Sequence, residues 1–217
     1  VNGLLDFYIE TCSGPWETID KERDIQAKYR FDMRSNTLYI FFQGSVSKND
    51  WKINFSFFPP SPSFRIAGKR VWGHRGFVLS MRRAWGWTAS VIKKHYPAAV
   101  IFSGYSQGAA YAEVTAVIAA YKYGNQLGCG GPVCYAFGGP PVWWFRRCTM
   151  RAAGLAHYHI QRFEHRGDPV SILPHLVFLG AIGKRHKIGK LNDCLPRFWE
   201  SHFPASYRKA LEVLING

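Results

Sequence analysis

The chain has 217 residues, 47% of them hydrophobic and 16% aromatic, enough to bury one sizeable core and most simply read as one globular domain over residues 1–217. Lys and Arg number 28 against 14 Asp and Glu, and the net charge of +14 favours contact with an anionic surface such as lipid headgroups. There is no internal repeat or low-complexity tract, and the longest nearly uncharged run, Val170 to Gly183, is too short to span a bilayer as a helix.

The five cysteines (Cys12, Cys129, Cys134, Cys148 and Cys194) are odd in number and lack zinc-type spacing. A Cys129–Cys134 bridge and reduced buried thiols both remain open. The chain opens on Val1, so the sequence leaves the compartment open, whether secreted or cytoplasmic. Basic clusters at Arg146 to Arg151 and Lys184 to Lys187 read either as a solvated face or as a contact for an anionic lipid interface.

In chain order, Ile25 to Phe31 alternates in part as a strand. A turn at Arg34-Ser35-Asn36 leads into a second strand, Thr37 to Phe42, so the two form a hairpin. A helix runs from Phe77 to about His95, with Met81, Trp85, Thr88 and Ile92 on one face, and Pro97 ends it. Ala98 to Phe102 is an apolar run suited to a parallel strand covered on both faces. A helix to about Tyr123 follows, small and apolar almost all round, then strands at Pro132 to Phe137 and His157 to Phe163. Strands separated by helices predict an α/β fold with a mixed, mostly parallel sheet.

Between the apolar strand and the alanine-rich helix stands Gly104-Tyr105-Ser106-Gln107-Gly108, a serine between two glycines in the strand–turn–helix context of a nucleophile elbow. Such a motif makes nucleic acid a poor partner, and none is expected. A serine hydroxyl needs a histidine to remove its proton and a carboxylate to orient that histidine. Acids are scarce after Ser106: Glu113, Glu164, Asp168, Asp193, Glu200 and Glu212. Glu113 lies two turns into the helix and points away from the serine, while Glu200 and Glu212 suit solvated roles beside a terminal helix. Asp168 follows a strand in a Gly-Asp-Pro turn that can aim a carboxylate into a cleft; Asp193 is the reserve. His202, just before a final amphipathic helix bearing Tyr207, Ala210, Leu211 and Leu214, is the expected base, with His175, His165 and His186 as rivals. The base must act as the neutral imidazole. The oxyanion hole calls for two backbone donors: the amide of Gln107 at the helix start, and one from the loop after the second strand, where Ser45 stands. No carboxylate pair or histidine cluster has ligand spacing, so neither metal nor cofactor is expected.

These pieces together resemble the class 3 lipases, the family of the filamentous-fungal triacylglycerol lipases and some feruloyl esterases. The likeness is carried by Phe41 to Ser45, Asn49-Asp50-Trp51, His74-Arg75-Gly76-Phe77, Tyr135 to Val142, Arg166 to Val170 with Leu173-Pro174, and His202 to Tyr207, in order from about residue 30 to 210. The resemblance implies an α/β-hydrolase fold with Ser106 as nucleophile, Asp168 as acid, His202 as base, and Ser45 and Gln107 as the oxyanion hole. The chain departs from the family at the elbow, where Gly-His-Ser-Leu-Gly is usual, and at Gln43, which replaces an arginine. Gly-Tyr-Ser-Gln-Gly-Ala is typical of cutinases, which share the chemistry.

Many such lipases carry a helical lid after the oxyanion segment. Here Ile53 to Arg70, with Phe55, Phe57, Phe58 and Phe64 among prolines, is expected to form an apolar rim rather than a long helix. Phe57, Phe58 and Tyr105 are the expected substrate contacts. The reading is a serine carboxylic ester hydrolase acting on acylglycerols or related lipid esters. Its alternatives are a feruloyl, cutin-like or phospholipid esterase on the same triad, and a non-catalytic hydrolase-fold protein that binds an anionic surface or nucleic acid.

Overall fold

A computed structural model describes residues 2–44, 61–66, 69–127, 131–144, 159–172, 179–190 and 200–216. A seven-stranded sheet dominates, with strands β1 (Glu17–Asp20), β2 (Ile25–Asp32), β3 (Thr37–Phe42), β6 (Ala99–Tyr105), β7 (Val133–Phe137), β9 (Ile160–His165) and β11 (Lys184–Ile188) side by side in that order. The β1–β2 and β2–β3 pairings are antiparallel, and all pairings from β3 onward are parallel. The expected mixed, mostly parallel sheet is therefore present. A smaller antiparallel sheet joins β10 (Leu179–Gly180), β8 (Trp143–Trp144), β5 (Lys69–Gly73) and β4 (Ser61–Ile66). Part of the expected rim thus consists of hairpin strands; residues 53–60 lie outside the described residues.

The β2–β3 hairpin forms because Asp32 caps its own turn: its carboxylate accepts from the Arg34 amide at 2.9 Å and the Ser35 hydroxyl at 2.8 Å, while Asn36 takes a positive φ of 47°. Central β3 is buried on both faces except at Tyr39, as its unbroken apolar sequence requires. One face of the sheet packs on α2 (Arg75–His95) and α3 (Gln107–Tyr123) through Leu38, Ile40, Phe42, Val100, Phe102 and Ala136. On α2, Met81, Thr88 and Ile92 are buried as their spacing predicts, and the helix ends at Tyr96 with φ 45°, one residue before Pro97. The opposite face packs on α1 (Asn2–Cys12) and the C-terminal α5 (Pro204–Asn216) through Tyr8, Phe137, Phe163, Tyr207 and Leu211. A one-turn helix, α4 (Pro169–Ile172), follows β9. Leu214 is exposed, so the buried stripe of α5 is narrower than expected.

Among the five cysteines, Cys12 and Cys134 are free thiols, so the Cys129–Cys134 bridge does not form; burial pushes the Cys134 thiol well above its usual range. The other three lie outside the described residues.

Helix α3 is apolar nearly all round, and Glu113, expected only to point away from the serine, is its buried charged residue. Glu113 is fully buried, accepts from the Trp143 indole N–H at 2.5 Å and pairs with the Arg162 guanidinium. Arg162, also fully buried, donates to the Gly139 carbonyl at 2.6 Å and to Glu164 at 3.1 Å. Glu164 in turn takes Arg185 at 2.6 Å and Lys187 at 2.7 Å. The cluster Lys184 to Lys187 is therefore not a free basic face: Arg185 and Lys187 close a charge network that runs inward to α3. Its His186 stacks on Phe163 and bonds Gln161. Arg146 to Arg151 lie outside the described residues. Among the described residues no helix is long and apolar enough to cross a membrane.

Candidate active site

Strand β6 ends at Tyr105 and helix α3 starts at Gln107, and the turn between them is Ser106 alone, at φ 56° and ψ −122°. An L-residue occupies that region only under constraint. The constraint is close packing of three backbones. A Cβ on Gly104 would lie 2.1 Å from the Gly108 carbonyl oxygen, and one on Gly108 would lie 2.1 Å from that of Phe42. The Ser106 amide is anchored to the Phe137 carbonyl at 2.9 Å. Both elbow glycines are thus required for contact, and the hydroxyl stands clear of the sheet end.

Ser106 Oγ lies 2.9 Å from His202 Nε2, and His202 Nδ1 lies 2.9 Å from Asp168 Oδ2. An ionised carboxylate only accepts, so Nδ1 carries the proton and Nε2 presents its lone pair to the serine hydroxyl. Asp168 is completely buried after β9, where its backbone N–H bonds the His165 carbonyl. Its Oδ1 accepts from the Val170 amide at 2.8 Å, and its Oδ2 also accepts from the Tyr207 hydroxyl at 2.5 Å and the Ser171 hydroxyl at 3.4 Å. The Tyr207 oxygen itself accepts from the His165 amide at 2.9 Å, which fixes its direction. Burial first, and the nearby Asp168 charge second, push the Tyr207 phenol well above its usual range, so it keeps the proton that it donates to Asp168. Two further bonds hold the histidine segment: Ser201 Oγ donates to the Gly167 carbonyl at 3.0 Å, and the Tyr8 hydroxyl of α1 donates to the Pro204 carbonyl at 3.0 Å.

Gln107 opens α3, so its amide belongs to the first turn, where the helix dipole favours developing negative charge. Its side chain turns inward and donates to the Tyr111 hydroxyl at 2.5 Å. The segment that would supply the second donor runs beside the elbow: Phe42 pairs with Gly104, and a Cβ on Gly44 would lie 3.6 Å from that of Ser106. Ser45, Phe57 and Phe58 lie outside the described residues, as do Asn49 to Trp51, Leu173-Pro174, His175 and Asp193.

The sequence profile described as lipase (class 3) matches residues 39–178, more than half of the chain. The chain belongs to the class 3 lipase family. No curated protein sequence matches it significantly. Among solved structures, it is similar to Rhizomucor miehei lipase in complex with its propeptide, at 21% identity over 88% of this chain and 64% of that one, with a TM-score of 0.64. It is also similar to Rhizomucor miehei triacylglyceride lipase (20%, 87% and 77%, TM-score 0.66) and to lipase II of Rhizopus niveus (19%, 87% and 77%, TM-score 0.67). At these identities the likeness establishes the α/β-hydrolase fold. The chain spans just under two thirds of the length of the first of these relatives.

Within this class 3 family chain, the two rival histidines among the described residues stand elsewhere. His165 Nδ1 bonds the Arg166 carbonyl, and His186 is held by Phe163 and Gln161. The profile match ends before His202, which geometry alone brings to Ser106. Tyr105 lies with its ring stacked on the His202 imidazole, centroids 5.4 Å apart and planes 20° apart. The edges of Tyr207 and Tyr8 meet it at 5.6 and 6.2 Å. Sequence reasoning gave Tyr207 only a packing role, because helical spacing identifies a buried face and is silent on a phenol at its tip. Tyr8 carried no signal at all. Among the described residues, no group of three or more His, Cys, Asp or Glu could hold a metal ion.

Proposed function

We propose that the chain is a serine carboxylic ester hydrolase in which Ser106 is the nucleophile, His202 the general base and Asp168 the carboxylate that orients it. The observation that carries this reading is the continuous hydrogen-bond line from Ser106 Oγ through His202 to Asp168, both links at 2.9 Å, with the serine in a constrained elbow. His202 Nε2 takes the serine proton as Oγ attacks the ester carbonyl. The tetrahedral oxyanion is met by the Gln107 amide and by Ser45, and the alcohol leaves with the proton from His202. Water then repeats the cycle on the acyl-enzyme.

Lipid esters such as acylglycerols are the favoured substrates, a choice that rests on family membership and on the name of a structural relative, a triacylglyceride lipase. Phe57, Phe58 and Tyr105 are proposed as contacts for the acyl group, and an anionic lipid interface as a peripheral contact for the net positive chain. A fluorophosphonate probe, followed by peptide mass analysis, tests the nucleophile: the folded chain is expected to be modified at Ser106 and to lose esterase activity in step. An unmodified Ser106 in folded protein overturns the reading. Release of fatty acid from emulsified triacylglycerol, compared with a phospholipid and a feruloyl ester, tests the substrate class.

A further inference from the structure

We propose that the aromatic face of Tyr105 stabilises the imidazolium that His202 becomes during the reaction, making Tyr105 a positioning residue for proton transfer; this rests on the triad reading above. Tyr105 immediately precedes Ser106, so the strand and turn that fix the nucleophile also fix its ring. The two rings lie near-parallel in an offset stack, with centroids 5.4 Å and planes 20° apart. Tyr8 from α1 and Tyr207 from α5 pack against the ring in T-shaped contacts and hold it in place.

In the resting state the neutral imidazole gains only dispersion from this stack. Once the Ser106 proton reaches Nε2, the imidazole becomes a cation lying within cation–π range of an electron-rich face. An interaction that grows as charge develops lowers the barrier without tightening the ground state. The Tyr105 hydroxyl plays no part in this: it is buried and has no hydrogen-bond partner among the described residues. Burial pushes the phenols of Tyr105, Tyr8 and Tyr207 upward, with the Asp168 charge second for Tyr105 and Tyr207, so all three stay neutral in the working range. Asp168 is the charged group bonded to the imidazole. Ser106, from the elbow, is its other polar partner.

The test replaces Tyr105 with Phe, with 3,4,5-trifluorophenylalanine and with Leu, and measures kcat, KM and the pH dependence of kcat/KM on a soluble short-chain nitrophenyl ester. Tyr105→Phe keeps the ring and is expected to recover kcat to within about twofold. The trifluorinated ring keeps the shape but drains the face of negative charge, so kcat falls although packing is intact. Tyr105→Leu is expected to lower kcat by about 2- to 30-fold, the range that a cation–π contact supplies, with KM little changed. The acid limb of kcat/KM moves to lower pH in the same order, because a less stabilised imidazolium gives up its proton more readily. An active parent with kcat flat across the series, or with changes confined to KM as a plain substrate contact would give, overturns this proposal alone. A parent that neither hydrolyses the ester nor takes the fluorophosphonate overturns the hydrolase reading and this proposal with it.

Discussion

Replacing Glu113 by Ala removes a carboxylate with no solvent exposure from between two groups that depend on it, the Arg162 guanidinium and the Trp143 indole. Breaking a buried ion pair by deleting one partner costs about 3–5 kcal/mol, because the remaining charge stays buried. Arg162 retains Glu164 and the Gly139 carbonyl, which places its share near the lower end, but loss of the Trp143 N–H bond to the carboxylate adds roughly 1–3 kcal/mol. A total of about 4–6 kcal/mol is a large fraction of the ~5–15 kcal/mol available to a typical domain. In a domain of this size it lowers Tm by roughly 8–24 °C. Urea denaturation gives the free energy, and Glu113→Gln, which keeps one acceptor oxygen but turns its NH2 towards the other donor, is expected to lose less than Glu113→Ala without restoring the parent. The double variant Glu113→Leu with Arg162→Met removes both charges together and is expected to be more stable than Glu113→Ala. A double variant destabilised by the sum of the two single losses would refute the reasoning, since it would mean that the two charges do not interact.

Tyr207→Phe deletes the hydroxyl that donates to Asp168 and accepts from the His165 amide; a charge-assisted bond of this kind is worth about 1.5–3 kcal/mol. Denaturation should show that loss, and fluorophosphonate labelling of Ser106 should slow; unchanged labelling would separate Tyr207 from the triad. Gly108→Ala forces a methyl against the Phe42 carbonyl and is expected to cost about 3 kcal/mol or more and to abolish esterase activity, read by Tm and initial rate. Glu164 provides an acid limit. Burial alone would raise its carboxyl, but Arg162 first, then Arg185 and Lys187, hold it down to about 2 against an ordinary 4.5. Its contribution, roughly 3 kcal/mol at most, is complete above pH 4.5 and lost as pH falls towards 2. Thermal melts from pH 5 to 2 should therefore fall less steeply in Glu164→Gln than in the parent.

The parts legible in the sequence are those where one physical demand dominates. Thr37 to Phe42 reads as a strand to the residue because a central strand must be apolar on both faces. Asp168 and His202 could be named because acids after Ser106 are so few and the order of the triad is constrained. Strand β6 runs three residues beyond its predicted end, through Ser103 and Gly104, because a buried hydroxyl can bond Thr11 and the Tyr135 carbonyl, and the glycine is needed at the elbow. Strand β11 was illegible: Lys-Arg-His-Lys has no apolar alternation, and it is the distant Glu164 on β9 that holds Arg185 and Lys187 beside it. Glu113 was legible as an acid but not as a buried one, since its partner lies 49 residues away on another element.

The two faces of the sheet also differ in how they reach the site. Helix α1 and helix α5 are contributed by opposite ends of the chain, yet the Tyr8 hydroxyl is bonded to Pro204, two residues past His202. Fraying of helix α1 would therefore loosen His202, the proposed base, before it disturbed Ser106, which is fixed from the other side by β3, β6 and α3. Shortening helix α1 is expected to slow ester turnover and phosphonate labelling together while the elbow itself stays folded.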